Sequence, residues 1–407
     1  KRVPVLVHDG ALASLPVLVP FLYVQFKLRF RAYNTAAAHL RSIQAFYRYV
    51  SEFGHFELEN DLLDGKFDRA LACLDGFAIW LLTGRKSIKV VAKIGLTDSN
   101  SDYPAMDIST RDQYFNALKA FLCWCAIRYG AQSTGEQSST AVIEKAFVDI
   151  VSQIERRFEN HLIRLAPNRQ QYRSLTPEQL DTIREFTHPE SPRNPFPPRL
   201  RLRNWLMIEL LLETGMRRGE LLKLCVSDIN SGSHHAYVSI VNRESDPEDP
   251  RANEPALKTN TRTVAISSQL YTAFEAYLQV RRKHGHEGKR KKIRYRYLFL
   301  SDREKPISQR TFAGILSRLQ SNINDVKQDH LLNLRPHDFR HTFADRFLMC
   351  LIEHRNMEME RAMDELRRIC GWSPLSQMPR RYALRYLSTS ANIHNHDRLK
   401  QAFKPII

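Results

Sequence analysis

The sequence predicts a mainly α-helical fold with a small antiparallel β-sheet, an α+β class, arranged as two domains. Apolar residues recur at helical spacing in segments along the whole chain. Residues 235–241 and 262–267 alternate apolar and polar residues as strands do. The stretch 163–174 between the helical regions is polar, basic and without periodicity, and 407 residues suffice for more than one hydrophobic core.

Residues 1–165 are predicted to form a helical N-terminal domain. Residues 35–50 are rich in alanine and carry apolar side chains at helical spacing. We expect further helices at 70–82, 114–129 and 141–162. The polar stretch indicates a linker at 166–173.

The second domain, residues 174–407, mixes helices and strands. Thr176 followed by Pro177 is typical of a helix start, because threonine caps the first turn and proline needs no hydrogen-bond partner there. A helix at 205–213 ends near Gly215, and the two strands flank an acidic, proline-rich loop at 242–256. Later helices are expected at 271–281, 308–323, 337–350 and 359–370.

The chain has a formal net charge of +17, and this charge is uneven. Counting Lys, Arg, Asp and Glu gives +3 for residues 1–165 and +14 for residues 166–407. Such an excess favours a polyanionic partner, most commonly a nucleic acid. A basic protein without such a partner is the alternative that composition leaves open.

Other classes fit the sequence poorly. The longest apolar run, residues 12–26, contains two prolines, is short for a membrane span and does not resemble a cleavable signal, so we expect no membrane association. Six scattered cysteines without a C-x-x-C pair indicate reduced thiols in a cell interior. No phosphate-binding P-loop occurs, so we expect no ATP and no other cofactor. The first residue is Lys1 rather than methionine, and the natural N-terminus stays open.

Three segments carry candidate chemistry: TGMRRGELLKLCVSDI (214–229), LRPHDFRHTFADRF (334–347) and LRRICGWSPLSQMPRRYA (366–383). Each has an ordinary structural explanation by itself. Arg217 suits a helix salt bridge, and His337 and His341 suit packing or a metal. We expect no metal, because a cationic Arg340 lies between the two histidines.

The order and spacing of the three segments resemble the catalytic domain of the tyrosine recombinase, or phage integrase, family. That family's pattern is T-G-x-R-x-x-E-L, a lysine on a β-hairpin, H-x-x-R-H, a G-[H/W] pair and then a nucleophilic tyrosine. The resemblance runs from about Ser174 to Ala383. It implies a helical core-binding domain ahead of a tyrosine-recombinase catalytic domain, and a site-specific DNA strand transferase that needs no ATP.

The residue types suit phosphoryl transfer. Negative charge grows on the phosphate during displacement, and the guanidinium forks of Arg217 and Arg340 match its oxygens. A tyrosine with an ordinary pKa of about 10 gains from a cationic pocket, which favours the phenolate. A phosphotyrosine link at Tyr382 would conserve the phosphodiester energy for resealing.

The resemblance implies the remaining roles. His337 would hydrogen-bond the phosphate or assist proton transfer, and Lys258 in LKTNTRTVAI would protonate the departing 5′ oxygen. Arg262 is the alternative to Lys258 at the hairpin, and a solvated loop lysine is the ordinary explanation. Glu220, three residues after Arg217, would orient it.

Two features depart from the family pattern. Trp372 stands where histidine is usual, and its indole N–H can donate a hydrogen bond but cannot shuttle a proton. Tyr382 lies one residue further from this position than usual, which keeps Tyr386 as the alternative nucleophile.

Residues 281–296 hold nine Lys and Arg against one Glu, which indicates contacts with the phosphate backbone or a solvated loop. The DNA-binding candidates are Arg281, Arg282, Lys283, Lys289, Arg290, Lys291, Lys292, Arg294, Arg296, Arg41 and Arg48.

The resemblance implies double-stranded DNA with specific attachment sites as partner, and a homo-tetramer that acts through a Holliday junction. An accessory DNA-bending or directionality protein is a further expected partner. The amphipathic end of the chain, with Leu399 and Phe403, would dock on a neighbouring subunit. The expected setting is the prokaryotic cytoplasm, in a mobile element or phage. A catalytically silent DNA-binding regulator and a type IB topoisomerase are the alternative functions.

Overall fold

The computed structural model describes residues 6, 15–29, 33–84, 106–130, 140–161, 174–243, 246–251, 254–255, 260–283, 294–326 and 332–402. The chain divides into two compact units, Lys1–Arg169 and Gln170–Ile407, called here the first unit and the second unit. The predicted linker at 166–173 lies outside the described residues. In the parts of the chain that are described, no helix is long and apolar enough to cross a membrane.

The first unit is helical. Its helices are α1 (Leu18–Leu22, continued by a π-helical segment Tyr23–Leu28), α2 (Tyr33–Phe53), α3 (Leu58–Leu63), α4 (Asp68–Ala72), α5 (Leu74–Thr83), α6 (Ile108–Tyr129) and α7 (Thr140–His161). Four predicted helical segments are therefore confirmed, although the one at 70–82 breaks at Cys73 into α4 and α5.

Aromatic side chains fill the core of the first unit. Phe77 contacts Phe46 edge-on at a centroid distance of 5.1 Å and stacks on Phe115 at 5.7 Å. All three rings are fully buried. Such ring pairs add about 0.5–1.5 kcal/mol each beyond their buried area, which favours one defined packing of α2, α5 and α6.

The second unit begins with helices α8 (Pro177–Thr187), α9 (Pro198–Thr214) and α10 (Arg218–Lys223). The predicted helix start is confirmed: the Gln179 N–H donates to Thr176 Oγ1 over 3.2 Å, and the Thr176 N–H donates to the Gln179 side chain over 3.0 Å. The predicted helix at 205–213 begins earlier, at Pro198, because proline suits a first turn.

A three-stranded antiparallel sheet follows, with strands β1 (Ile229–Ser231), β2 (Ala236–Ile240) and β3 (Arg262–Ile266) in sequential order. Val238 pairs with Ile229 on one side and with Val264 on the other. The two predicted strands are confirmed, whereas β1 was not predicted because three residues show no clear alternation.

The remaining helices are α11 (Ser268–Lys283), α12 (Gln309–Val326), α13 (Pro336–Met349), α14 (Met359–Ile369) and α15 (Met378–Ala402), with a π-helical turn at Cys350–His354. They confirm the predicted mainly α class with a small antiparallel sheet. The main core of this unit packs α8 to α13 against the sheet, and a smaller cluster joins α13, α14 and α15.

Candidate active site

The first candidate residue, Arg217, lies in the turn between α9 and α10. Gly215 ends α9 with φ +59°, and a Cβ atom there would lie 2.2 Å from the Phe343 ring, so both the backbone and the space require glycine. Arg217 then has extended backbone angles and begins α10. Its backbone N–H donates to Glu220 Oε2 over 2.8 Å, which fixes the turn.

A buried ion pair supports this turn from the sheet. Arg262, the first residue of β3, donates to both carboxylate oxygens of Glu220, over 2.8 and 3.2 Å. Its Nε also donates to the carbonyl of Ile369 at the end of α14, over 2.8 Å. The two charged side chains are 6% and 1% exposed. Arg262 therefore connects β3, α10 and α14.

Arg340 on α13 connects two turns. Its Nη1 donates to the carbonyl of Gly215 over 2.6 Å and its Nη2 to the carbonyl of Cys370 over 2.7 Å. The guanidinium carbon also lies 5.0 Å from the centre of the Trp372 ring. Since Arg340 is buried, these contacts hold the 214–217 turn and the 370–372 turn at a fixed separation.

The turn after α14 needs a glycine at position 371. Gly371 has φ +64°, and a Cβ atom there would lie 2.8 Å from Arg262 Nη1 and 3.1 Å from the carbonyl of Asn260. The Asn260 N–H donates to the Gly371 carbonyl over 3.3 Å, so the segment before β3 lies against this turn. Trp372 follows and stacks on Tyr382 at a centroid distance of 5.7 Å.

Tyr382 lies in the first turns of α15 and is 1% exposed. Its hydroxyl lies 2.6 Å from Nδ1 of His341 on α13. One turn later, Arg385 forms an ion pair with Asp345 over 3.2 Å and donates to Ser174 over 3.1 Å. These contacts attach the helix of Tyr382 to α13.

The alternative nucleophile, Tyr386, has a different environment. Its hydroxyl donates to Glu353 over 3.2 Å at an exposed position. Partial desolvation and the carboxylate of Glu353 raise the pKa of Tyr386, which disfavours the phenolate. The structure thus places Tyr382, and not Tyr386, beside His341 and beside Trp372, the ring that Arg340 contacts.

The cluster formed by Arg217, His337, Arg340, His341 and Tyr382 is cationic. Burial, with Arg340 nearby, lowers the pKa of Arg217 to about 10. Desolvation by the surrounding protein, with the Arg217 and Arg340 guanidinium groups nearby, lowers the pKa of His337. Burial, with His337 and Arg340 nearby, lowers the pKa of His341 to about 4. Positive charges that repel one another in a half-buried site favour the binding of an anion, which offsets the repulsion.

A donor atom in this cluster supports the same conclusion. Arg217 Nη1 is buried and has no hydrogen-bond partner among the described residues; its ion-pair partner, Glu220 Oε1, lies 3.8 Å away. A buried donor without an acceptor is costly, and a phosphate oxygen would supply one. His337, in contrast, is exposed at the beginning of α13, where its ring centre lies 5.7 Å from that of His341.

The structure therefore brings together most of the predicted site residues: Arg217, Glu220, His337, Arg340, Trp372 and Tyr382. Lys258 lies outside the described residues. Among the described residues, no group of three or more His, Cys, Asp or Glu side chains is placed to hold a metal ion.

The predicted DNA-binding residues are only partly described. Lys289, Arg290, Lys291 and Lys292 lie outside the described residues, as do the side chains of Arg282 and Lys283. In the first unit Arg41 is exposed, whereas Arg48 pairs with Glu52 over 3.0 Å. In the second unit Arg281 donates to the carbonyl of Tyr295 over 2.9 Å, and Arg294 lies over the ring of Tyr295 at 5.7 Å.

Arg296 is bound within the second unit. It pairs with Asp246 over 2.6 Å and with Glu248 over 3.3 Å, so these carboxylates offset its charge. Its assignment to DNA binding, like the assignments of the other ten candidates, stays a prediction.

Two residues of the site were not assigned from the sequence. Arg262 was considered only as the alternative to Lys258, and its ion pair with Glu220 spans 42 residues of sequence. His341 was considered only for packing or a metal, and its contact with Tyr382 spans 41 residues. The signal available in the sequence was that His341 is the last residue of the H-x-x-R-H pattern.

The chain is similar to proteins of a known family. The Phage integrase family matches residues 173–384, more than half of the chain. The chain is 29% identical over 176 residues to the tyrosine recombinase XerD of Halalkalibacterium halodurans, covering 43% of this chain and 48% of XerD. It is 22% identical over 197 residues to transposase A of transposon Tn554 from Staphylococcus aureus, covering 47% and 45%. The chain thus spans about half the length of these curated relatives.

A solved structure resembles nearly the whole chain. The XerH site-specific recombinase bound to difH substrate, a pre-cleavage complex, matches with a TM-score of 0.51 and 15% sequence identity. The match covers 95% of this chain and 90% of XerH. At this identity, the similarity establishes a shared fold.

Proposed function

Because the chain belongs to the phage integrase family, we propose that it is a site-specific DNA recombinase that cleaves and rejoins strands through a 3′-phosphotyrosine intermediate. The observation that carries this proposal is the position of Tyr382. Its hydroxyl is bonded to His341 within a cluster that also contains Arg340, next to the turn that presents Arg217. A buried arginine and a half-buried arginine in one cluster with a tyrosine hydroxyl suit attack on a phosphodiester.

Each side chain has a defined part in this reaction. Arg217 has a buried donor without a hydrogen bond, and this donor suits a non-bridging phosphate oxygen. Arg340 donates two of its five N–H groups to backbone carbonyls, and the other three can donate to the phosphate. His337 is exposed beside both arginines and suits a hydrogen bond to the same phosphate. Trp372 holds the Tyr382 ring by stacking.

Lys258 is proposed as the acid that protonates the departing 5′ oxygen. Arg262, the alternative, is unsuited, because its guanidinium is bonded to Glu220 and to a backbone carbonyl. Asn260, two residues after Lys258, is hydrogen-bonded to Gly371 beside Trp372. This contact supports a place for the lysine near the cluster.

Double-stranded DNA carrying specific attachment sites is the proposed substrate. The XerH structure contains such a recombinase bound to its difH substrate. The +14 charge of residues 166–407 is consistent with DNA. The similarity to the Tn554 transposase supports integration, excision or transposition of a prokaryotic mobile element. An accessory DNA-bending or directionality protein is a further proposed partner.

A homo-tetramer on two DNA sites is the proposed assembly. Apolar side chains lie exposed along α15 after the nucleophile; these are Leu384, Leu387, Ile393 and Leu399. Exposed apolar side chains at this position suit docking on a neighbouring subunit. Deletion of residues 390–407 should abolish assembly on DNA, as measured by light scattering or gel mobility. Unchanged assembly would contradict this part of the proposal.

A covalent-adduct assay tests the function. The full chain is incubated with nicked duplex DNA carrying a candidate attachment site, and the products are separated under denaturing conditions. We expect a protein–DNA adduct with wild type, none with Tyr382→Phe, and an undiminished amount with Tyr386→Phe. No wild-type adduct would indicate a DNA-binding regulator. Relaxation of supercoils without recombination would indicate a topoisomerase.

A further inference from the structure

The Tyr382 hydroxyl is hydrogen-bonded to a histidine without an assigned role. His341 Nδ1 lies 2.6 Å from Tyr382 Oη, and the two ring centres are 5.9 Å apart. We propose that His341 is the base that takes the phenol proton when Tyr382 attacks DNA, and that returns it when the strand is rejoined. This inference rests on the strand-transfer function proposed above.

Geometry selects His341 for this role. A general base must lie within hydrogen-bond reach of the proton it removes, about 2.6–3.2 Å between heavy atoms, and His341 Nδ1 meets this requirement without a conformational change. To accept from the phenol, Nδ1 must carry the lone pair, so the ring proton lies on Nε2. His337 is exposed one turn earlier, at the beginning of α13, which suits contact with the phosphate.

The burial of His341 and the charges around it keep its imidazole neutral, so that it can accept a proton. Burial lowers its pKa to about 4, with His337 and Arg340 on its own helix and Arg385 on α15 acting in the same direction. The ring is therefore neutral near pH 7. A bound phosphodiester brings a negative charge that offsets these cations and raises the pKa of His341. Its basicity thus increases when DNA occupies the site.

The proposed step balances in atoms and charge. The Tyr382 Oη–P bond forms while the bond between phosphorus and the 5′ oxygen breaks, and the phenol proton moves to His341 Nδ1. The departing 5′ oxygen takes its proton from the lysine proposed above. In rejoining, a 5′ hydroxyl gives its proton back to that lysine and attacks the phosphotyrosine, the bond between phosphorus and Tyr382 Oη breaks, and the proton on His341 returns to the Tyr382 oxygen.

A conservative variant separates proton transfer from positioning. In His341→Asn the side-chain amide occupies the place of Nδ1 and can hydrogen-bond Tyr382 Oη, but it cannot take the proton. We measure the single-turnover rate of adduct formation on the nicked duplex, with binding followed by gel mobility. His341→Asn should form adduct about 10²–10³-fold more slowly than wild type, with unchanged DNA affinity. His234→Asn, an exposed position between β1 and β2, serves as the matched control and should match wild type.

The pH profile gives a readout that a positioning role would not move. In the described part of the chain, the charged and titratable groups near His341 include His337, Arg340 and Asp345 on α13, with Tyr382 and Arg385 on α15. Protonation of His341 removes the base, so the wild-type rate should fall as the pH is lowered. His341→Asn should lack this acidic limb, whereas His337→Asn should retain it.

The outcomes are distinguishable. A wild-type rate and profile in His341→Asn would overturn this inference while the recombinase function stands. An absent wild-type adduct would overturn the proposed function and this inference with it. If circular dichroism shows that His341→Asn does not fold, ¹⁵N spectra of histidine-labelled wild type decide. A neutral ring with the proton on Nε2 supports the proposal, and a proton on Nδ1 at pH 7 overturns it.

Discussion

Replacing Arg262 with methionine tests how much the buried Glu220 carboxylate depends on its guanidinium partner. The substitution keeps a long side chain but removes two hydrogen bonds to Glu220 and one to the carbonyl of Ile369. Glu220 then stays buried, where it keeps the hydrogen bond from the backbone N–H of Arg217, at 2.8 Å, and the more distant Arg217 guanidinium, at 3.8 Å.

The expected cost is large. Removing one partner of a buried pair destabilises a protein by about 3–5 kcal/mol, because the other charge stays desolvated. Arg217 Nη1 can move toward Glu220 and recover part of this energy. We therefore expect the free energy of unfolding of the second unit to fall by about 3 kcal/mol. That movement would also draw Arg217 away from the phosphate, so the rate of adduct formation should fall.

Hydrogen exchange followed by mass spectrometry measures this effect in the full chain, because peptides from α9 and β3 report on the second unit. A loss of about 3 kcal/mol raises exchange through global opening by a factor on the order of 10². Arg199→Met is the matched control. Its ion pair with Asp302 is exposed, so the loss should be no more than about 1 kcal/mol.

A second substitution tests the cause. Glu220→Gln removes the buried charge and keeps an oxygen that accepts the Arg217 N–H. In the Arg262→Met/Glu220→Gln double variant, more than half of the lost stability should return. The reasoning is refuted if Arg262→Met costs no more than Arg199→Met, or if the double variant is the less stable of the two Arg262 variants.

Three further measurements test other parts of the site and the basic run. Arg340→Lys should slow adduct formation by about 10²-fold or more, because one ammonium group cannot bond both backbone carbonyls and the phosphate. The free energy of unfolding should fall by up to about 3 kcal/mol between pH 6.5 and 4, because the folded state keeps His341 neutral while the unfolded imidazole takes up a proton; urea titrations of wild type and His341→Asn check this. Alanine at all four positions 289–292 should lower the slope of log Kd against log salt by up to about 3–4, as measured by fluorescence anisotropy.

The sequence predicted those elements whose signal is local. Helical periodicity located α2 and α6, and the Thr176 cap located the beginning of α8. The break at Cys73 was missed, because both sides of it continue the same apolar pattern. Strand β1 was missed because three residues cannot show alternation and its pairing with β2 holds it in the sheet.

Much of the site was predictable for a related reason. The spacing of Arg217 and Glu220 is that of one helical turn, and His337 and Arg340 share the beginning of one helix. Contacts between distant segments gave no such signal. The bonds of Arg340 to the carbonyls of Gly215 and Cys370 involve backbone atoms that every residue carries, so no residue type marks them.

The charge of the site follows from these unpredicted contacts. Glu220 is needed to hold the Arg217 turn, yet a free carboxylate beside the phosphate would repel it. Arg262 removes this conflict, because its guanidinium binds both oxygens of Glu220. The carboxylate can then position Arg217 without cancelling its charge, and Arg217 and Arg340 still lower the pKa of His337. A net positive field at the phosphate therefore depends on a third arginine that we expect not to touch DNA.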